Sequence, residues 1–451
     1  LPFDWLITHG EIVLIGFVVL AAATYLLQQR RSPQSTAAWL LFLIMVPYLA
    51  IPIFVGLGVR KRAAGPGALT MRPLGGTDPQ NAVDHMLRSY RLPGATGGHT
   101  FTLHDSPEAA RTALFDMVKG AQTRIDAQFY IVARDDIGRA FVTALTERAR
   151  AGVKVRLIID RLGSLFPPRH ALKALIAAGG EVHWFSPFVQ PPMRGHLNLR
   201  NHRKIVVVDN TRVFAGGMNV GEEYMGKGPD VWTDLAFSLT GPAVGSFDDV
   251  FASDWDGTGG EAIAPAPFPP PGSGTAVVQV APSGPDLRHD GLHDALVSAI
   301  HRAERRIWIV TPYFLPTDTL AEALLIAGRR GIDVRIMLPR RSNQKIADFA
   351  RGAYLRDLHR SRARVLKFNR GMIHAKAGII DDVAYIGSVN FDVRSMLLNF
   401  EDALILHDAG SVGRIDDWFA AQFQYCEEGI APAKFLRRVG EGLFRIGAPV
   451  L

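Results

Sequence analysis

The chain opens on two stretches whose hydrophobic positions show no helical or strand period, because almost every position is apolar. Ile12–Leu27 (IVLIGFVVLAAATYLL) is a 16-residue apolar run that extends back through Trp5, Leu6 and Ile7 across the polar trio His9, Gly10 and Glu11. Ala37–Val59 has 23 residues without a charge and is interrupted by Pro47 and Pro52. A helix needs roughly 20 apolar residues to cross a bilayer, so residues 1–62 are expected to form a membrane anchor with two transmembrane segments. A cleaved signal peptide competes for the first run, but it would need a basic leading region and would not be followed at once by a second apolar run. Proline kinks a membrane helix, which leaves a re-entrant hairpin open for 37–59. Arg30 and Arg31 separate the two runs, and Arg60, Lys61 and Arg62 follow them. If both runs span, these three charges against two favour a cytoplasmic large domain on a multi-pass anchor.

Beyond the anchor the pattern becomes periodic. Residues 63–99 are rich in Gly and Pro (AAGPGA, PLGG, LPGATGG) and read as a linker with one short helix at Asn81–Tyr90. A second break, GTGGEAIAPAPFPPPGSGTA, covers 257–276. The segments 100–256 and 277–428 follow one order. Helical Glu108–Ala121, strand 124–132, helix 139–151 and strand 153–160 are matched by Asp294–Ala303, 306–314, 319–329 and 332–339. Each half adds another helix and a short strand, EVHWF at 181 or RVLKF at 364. The prediction is an α/β protein built by internal duplication, with largely parallel strand pairing and two lobes related by a pseudo-twofold axis. Residues 429–451 form a C-terminal amphipathic segment. There Phe435, Leu436, Val439 and Leu443 share a face, as in a helix lying on anionic lipid or one packed on the domain.

Composition narrows the partners. One cysteine, Cys426, excludes an intrachain disulfide. A net charge of +7 suits an anionic partner, nucleic acid or acidic lipid, without choosing between them.

The chemistry sits in a repeated motif. NHRKIVVVDNTRVFAGGMN at 201–219 and IHAKAGIIDDVAYIGSVN at 373–390 lie about 170 residues apart. On a strand, positions i and i+2 point the same way, so His202 aligns with Lys204 and His374 with Lys376. Asp209 and Asp381 fall at the turn after an apolar run. The returning strand brings Gly217 and Asn219, or Ser388 and Asn390, back beside the imidazole and ammonium. Such an edge suits a phosphate. Two copies meeting at a pseudo-twofold axis set two histidines on opposite sides of one phosphorus, as in-line displacement requires. One attacks to give a phosphohistidine; the other protonates the leaving alcohol and then activates the next. Lys204 and Lys376 would neutralise the phosphate oxygens, and neither a metal nor a cofactor is expected. Asp234, 32 residues after His202, and Glu401, 27 after His374, are candidates for fixing the imidazole tautomers.

The doubled H-x-K-x4-D with G-(G/S)-x-N behind it resembles the phospholipase D superfamily. More of the chain, including RRSPQSTAAWLLFLIMVP, QFYI, GGMNVGEEY, TPYFLPTDTL and GSVNFDVRSMLLNFE, resembles its membrane-anchored bacterial cardiolipin synthases. The resemblance implies a duplicated phospholipase D-like fold in the bacterial inner membrane. It implies transfer of a phosphatidyl group from one phosphatidylglycerol to another, with His202 as nucleophile and His374 as acid and base. A phospholipase D-type hydrolase would use the same residues with water as acceptor. A nuclease would suit the charge but not the two apolar runs, and a non-catalytic scaffold would have no use for His-Lys pairs in both halves. Oligomeric state and acceptor selectivity stay open.

Overall fold

The computed structural model of the protein describes residues 3–29, 33–58, 61, 67–79, 81–186 and 198–446. The chain forms two compact units, residues 1–61 with 186–199, and 62–185 with 200–451.

The first unit contains α1 (Phe3–Gln28), α2 (Pro33–Met45) and α3 (Pro47–Leu57). His9, Gly10 and Glu11 do not interrupt α1, and His9–Gln28 is the one helix among the described residues long and apolar enough to cross a membrane. The second apolar run is not one helix. Val46 leaves the helical region (φ −140°, ψ 60°), as a residue before proline tends to, and Pro47 opens α3. At 1.5 Å per residue, α2 and α3 are only about 20 and 16 Å long. The run folds back on itself at this break. Phe54 lies 5.2 Å from Trp39 and 6.3 Å from Tyr25, ring centre to ring centre. Leu26, Leu43, Ala50 and Phe54 form a small buried cluster.

The second unit is organised on one fifteen-stranded sheet. The first lobe supplies β1 (Thr96–His104), β2 (Arg124–Phe129), β3 (Lys154–Asp160), β4 (Glu181–Phe185), β5 (Ile205–Val208), β6 (Arg212–Gly216) and β7 (Ala236–Thr240). The second supplies β8 (Ala276–Ser283), β9 (Arg306–Val310), β11 (Asp333–Pro339), β12 (Arg364–Phe368), β13 (Ala377–Ile380), β14 (Val383–Gly387), β16 (Glu401–Leu406) and β17 (Cys426–Glu428). Phe314–Leu315 (β10) and Phe391–Asp392 (β15) pair separately. The order β17-β12-β11-β9-β13-β14-β16-β8-β1-β7-β6-β5-β2-β3-β4 reads nearly the same from either side of the β8–β1 junction. The predicted duplication is therefore present, with one correction. Only the outer pairings β2–β3–β4 and β9–β11–β12 are parallel, and the middle of the sheet is antiparallel. Its strands are joined by tight hairpins such as β5–β6 and β13–β14, and a short turn cannot reverse a chain into parallel register.

Strand alternation distributes the apolar side chains between two cores. Ile205 and Val207 enter a core that runs on through Val278, Ile307, Ile379 and Leu404 of the second lobe. Val206 and Val208 enter another, formed within the first lobe. Since one core is common to both lobes, the halves are fused rather than tethered. The Gly- and Pro-rich stretches expected as linkers take part in this packing. Leu69 and Met71 are buried, Asn81 caps the helix Ala82–Ser89, and β1 begins at Thr96, inside the expected linker. Gly98 (φ +79°) donates no side chain, and a Cβ there would stand 2.6 Å from Pro271. Its carbonyl instead accepts from Gly272 N–H at 2.8 Å. Here glycine permits two segments to cross closely; it does not mark freedom.

Candidate active site

Each motif histidine sits just before a short buried strand, and a backbone bridge to the other lobe positions it. His202 N–H donates to the carbonyl of Phe400 (2.8 Å) and Phe400 N–H to that of Arg200 (2.9 Å). At the related place, His374 N–H donates to Thr233 (2.7 Å) and Thr233 N–H to Met372 (2.9 Å). The residues that follow Phe400 and Thr233 are Glu401 and Asp234. The bridges therefore deliver each histidine to the carboxylate of the opposite lobe. His202 Nδ1 lies 2.9 Å from Glu401 Oε2, and His374 Nδ1 lies 2.6 Å from Asp234 Oδ2. Each carboxylate thus serves the histidine of the other lobe, not the one it follows in the chain. All four side chains are buried.

The two ends differ in detail. His202 Nδ1 also faces the Ser388 carbonyl at 3.1 Å. Both of its neighbours are acceptors, so Nδ1 carries the proton and Nε2 the lone pair. His374 Nδ1 instead lies between the Asp234 acceptor and the Lys376 ammonium, a donor 2.6 Å away. Lys204 turns to the His202 carbonyl. Burial pushes His202 down and His374 down to about 3, with Lys376 adding to the effect on His374. Burial also lowers Lys204 to about 7 and Lys376 to about 8. Burial raises the two carboxyls, but Lys376 and His374 more than offset this at Asp234, and His202 and Lys204 do so at Glu401. Cationic groups crowded together in low dielectric disfavour one another's charge. An anion set among these groups would favour their charged forms.

The remaining motif residues divide. Ser388 Oγ donates to Glu401 at 2.5 Å and accepts from Asp402 N–H at 3.0 Å. It holds the carboxylate instead of opening toward a phosphate. Gly217 stands at the matching position, and its N–H is already spent on Leu235 (2.9 Å). A Cβ there would stand 2.4 Å from Asp234 Oδ1, so glycine admits the shorter carboxylate. Asn219 accepts from Ile131 N–H at 3.1 Å. Asn390 is buried, and its side-chain oxygen has no partner among the described residues. Asp209 and Asp381 do not join the cluster. Each lies about 16 Å along the chain from its lysine at ~3.3 Å per residue. In left-handed backbone (φ 53° and 51°), Asp209 accepts from the N–H groups of Gln122, Thr123 and Arg124, and Asp381 from those of Glu304, Arg305 and Arg306. They pin the far end of the hairpin to the start of β2 or β9.

Several neighbours were not singled out from sequence. The Tyr130 ring stands edge-on to His202 (5.0 Å), and Tyr224 and Trp232 flank His374 (5.3 and 5.1 Å). Asn399 Nδ2 donates to Glu401 Oε1 at 3.3 Å. Arg203 is wholly buried and joins Asp254 (2.7 Å) of its own lobe to Asp286 (2.9 Å) of the other. The signal available for Tyr130 was its place at the end of QFY, matched by TPY ending in Tyr313. Among the described residues no group of three or more His, Cys, Asp or Glu side chains is arranged to hold a metal ion.

The sequence profile of the family described as "Cardiolipin synthase, PLD-like domain" matches residues 114–255 and 296–423. Cardiolipin synthase A of Pseudomonas fluorescens (strain SBW25) is 31% identical over 471 residues, covering 98% of this chain and 98% of its own. Cardiolipin synthase of Geobacillus thermodenitrificans (strain NG80-2) is also 31% identical, over 97% of this chain and 93% of its own. Among solved structures, phosphatidylserine synthase of Haemophilus influenzae Rd KW20 superposes with a TM-score of 0.61 at 13% identity, covering 82% of this chain and 99% of that one.

Proposed function

The chain belongs to the cardiolipin synthase, PLD-like domain family, and from that premise we propose that it joins two phosphatidylglycerol molecules into cardiolipin, releasing glycerol. The observation that carries the reading is the pair of buried histidines, each held by the other lobe's carboxylate (2.9 and 2.6 Å). His202 is the nucleophile, because two acceptors hold its proton on Nδ1 and leave Nε2 free to attack phosphorus. The bond from phosphorus to the glycerol headgroup breaks as the bond to Nε2 forms. His374 gives its proton to the departing glycerol oxygen. A hydroxyl of a second phosphatidylglycerol then enters, His374 takes that proton back, and phosphorus passes from His202 to the new oxygen. Lys204 and Lys376 balance the phosphate charge. Burial and Lys376 favour the neutral form of His374, so its proton comes with the complex: the phosphodiester anion opposes Lys376 and raises the imidazole. The burial of both histidines and both lysines favours a lipid hydroxyl over water as acceptor.

A membrane arrangement accompanies this chemistry. One crossing by α1, with α2 and α3 as a re-entrant hairpin, fits their lengths and the Trp39–Phe54 contact. Arg30, Arg31, Arg60, Lys61 and Arg62 would then all fall on the catalytic side, and such a cluster of positive charge favours the cytoplasm. The protein acts at the bacterial inner membrane.

The test is purified protein with phosphatidylglycerol alone. Cardiolipin and equimolar glycerol are expected. Phosphatidic acid as the main product would replace the synthase reading with a hydrolase.

A further inference from the structure

The C-terminal helix Phe435–Ile446 inverts the usual rule of packing. A helix docked on a domain turns its apolar stripe inward. This one docks through a carboxylate. Glu441 is fully buried, paired with Arg356 of the helix Lys345–Arg360 and with Arg437 of its own helix at 2.9 Å. Gly352 makes room: a Cβ there would stand 2.4 Å from Glu441 Oε1. Gly440 likewise sits against Phe349, 3.1 Å from where a Cβ would be. Phe435, Leu436 and Val439 point away, with exposures of 68%, 82% and 55%. At 100° per residue, Val439 lies about 200° around the helix from Glu441. A domain that buries an ion pair and leaves three large apolar side chains in water has placed them for another apolar phase.

We propose that this helix is a second membrane contact, lying in the interface of an anionic bilayer with Phe435, Leu436 and Val439 inserted and Lys434, Arg437 and Arg438 against the lipid phosphates. The charge supports lipid over a second copy of the chain. The exposed apolar residues are bordered by three cations, all on the surface; two such faces meeting about a twofold axis would bring like charges together. Its polar dock on the Lys345–Arg360 helix fixes its position on the catalytic unit, so insertion holds that unit at a set height on the bilayer. The proposal leans on the synthase reading only for the kind of lipid beneath it.

The full chain with Cys426→Ser and Leu436→Cys, carrying an environment-sensitive fluorophore at the new thiol, is reconstituted in vesicles. In phosphatidylglycerol-containing vesicles the emission should shift to the blue, and headgroup-depth spin-labelled lipid should quench it at least about twofold. Neutral phosphatidylcholine vesicles should weaken both, as should Lys434→Gln with Arg438→Gln. A probe that stays in water in both vesicles overturns the proposal. So does shielding that grows with protein-to-lipid ratio and ignores the lipid quencher, since a second copy then covers the face. Fluorescence does not depend on turnover, so the phosphatidylglycerol assay on the same vesicles tests the synthase reading separately.

Discussion

The two ends of the catalytic cluster share a backbone and differ in chemistry. At one end His202 is held by a glutamate whose oxygen is itself held by Ser388 at 2.5 Å. At the other His374 is held by an aspartate, one methylene shorter, pressed against Gly217. The exchanges compensate: the longer carboxylate leaves room for a serine, and the shorter one needs the space a serine would fill. The remaining difference is the lysine. Both lysines donate to the carbonyl of the histidine they follow, but only Lys376 also reaches that histidine's imidazole. A duplicated scaffold thus places two histidines symmetrically while local contacts give them different surroundings, the difference on which the proposed division into nucleophile and proton carrier rests.

The largest test of this division is to remove one histidine at a time. His374→Asn should cut turnover by about 10³-fold, the order of one lost acid/base, yet still let a phosphatidyl adduct build up on His202, detected by intact-protein and peptide mass spectrometry. His202→Asn should show neither product nor adduct. An adduct on His374 instead would reverse the roles. Next come the crossed carboxylates. Asp234→Asn and Glu401→Gln should each lower kcat by about 10²- to 10³-fold through a wrongly held imidazole. Glu401→Gln should slow adduct formation at His202, and Asp234→Asn should slow its discharge, as single-turnover kinetics would resolve.

A subtler pair swaps the supports. Gly217→Ser forces a side chain into Asp234 and should cost about tenfold in kcat with a lower Tm. Ser388→Gly removes one charge-assisted hydrogen bond, on the order of 1.5–3 kcal/mol, and should act on the His202 step only. The pH profile tests what the two ends share. Lys204 near 7 and Lys376 near 8 lose their charge as pH rises, so kcat/KM in mixed micelles should fall several-fold from pH 7 to 9. Stability should move the other way. Between those values and the ordinary lysine range the unfolded chain holds protons that the folded one lacks, so unfolding free energy rises with pH. The smallest effect on chemistry is expected at Asp209→Ala and Asp381→Ala, which should lower stability by about 1–3 kcal/mol, measured by denaturant titration, and leave kcat near normal.

Those aspartates show where reading the chain stopped. Their fixed spacing from the lysines is legible, and so is their place at a turn. Their partners are not, because the N–H groups of 122–124 and 304–306 lie some 80 residues earlier in each half. The strands Ile205–Val208 and Ala377–Ile380 coincide with the apolar runs that precede Asp209 and Asp381, since an unbroken apolar run bounded by polar turns permits little else. The Gly- and Pro-rich stretches misled: the same composition serves a loose linker and a close crossing such as Gly98 against Pro271. The run 37–59 was legible as apolar, while its break at Val46 depended on which side of Pro47 the helix would end.

By itself the sequence determined the duplication, the alternation that sends neighbouring residues into separate cores, the paired His and Lys, and the apolar character of the leading segment. These are local properties, carried by period, composition and spacing. Only the tertiary structure decided that Glu401 serves His202 and Asp234 serves His374, that Ser388 holds a carboxylate, and that Glu441 rather than Phe435 faces the domain. Each of these depends on two backbone segments far apart in the chain approaching to within hydrogen-bonding distance. Short-range pattern does not record which distant segment fills a given space; the closing of the fifteen-stranded sheet does.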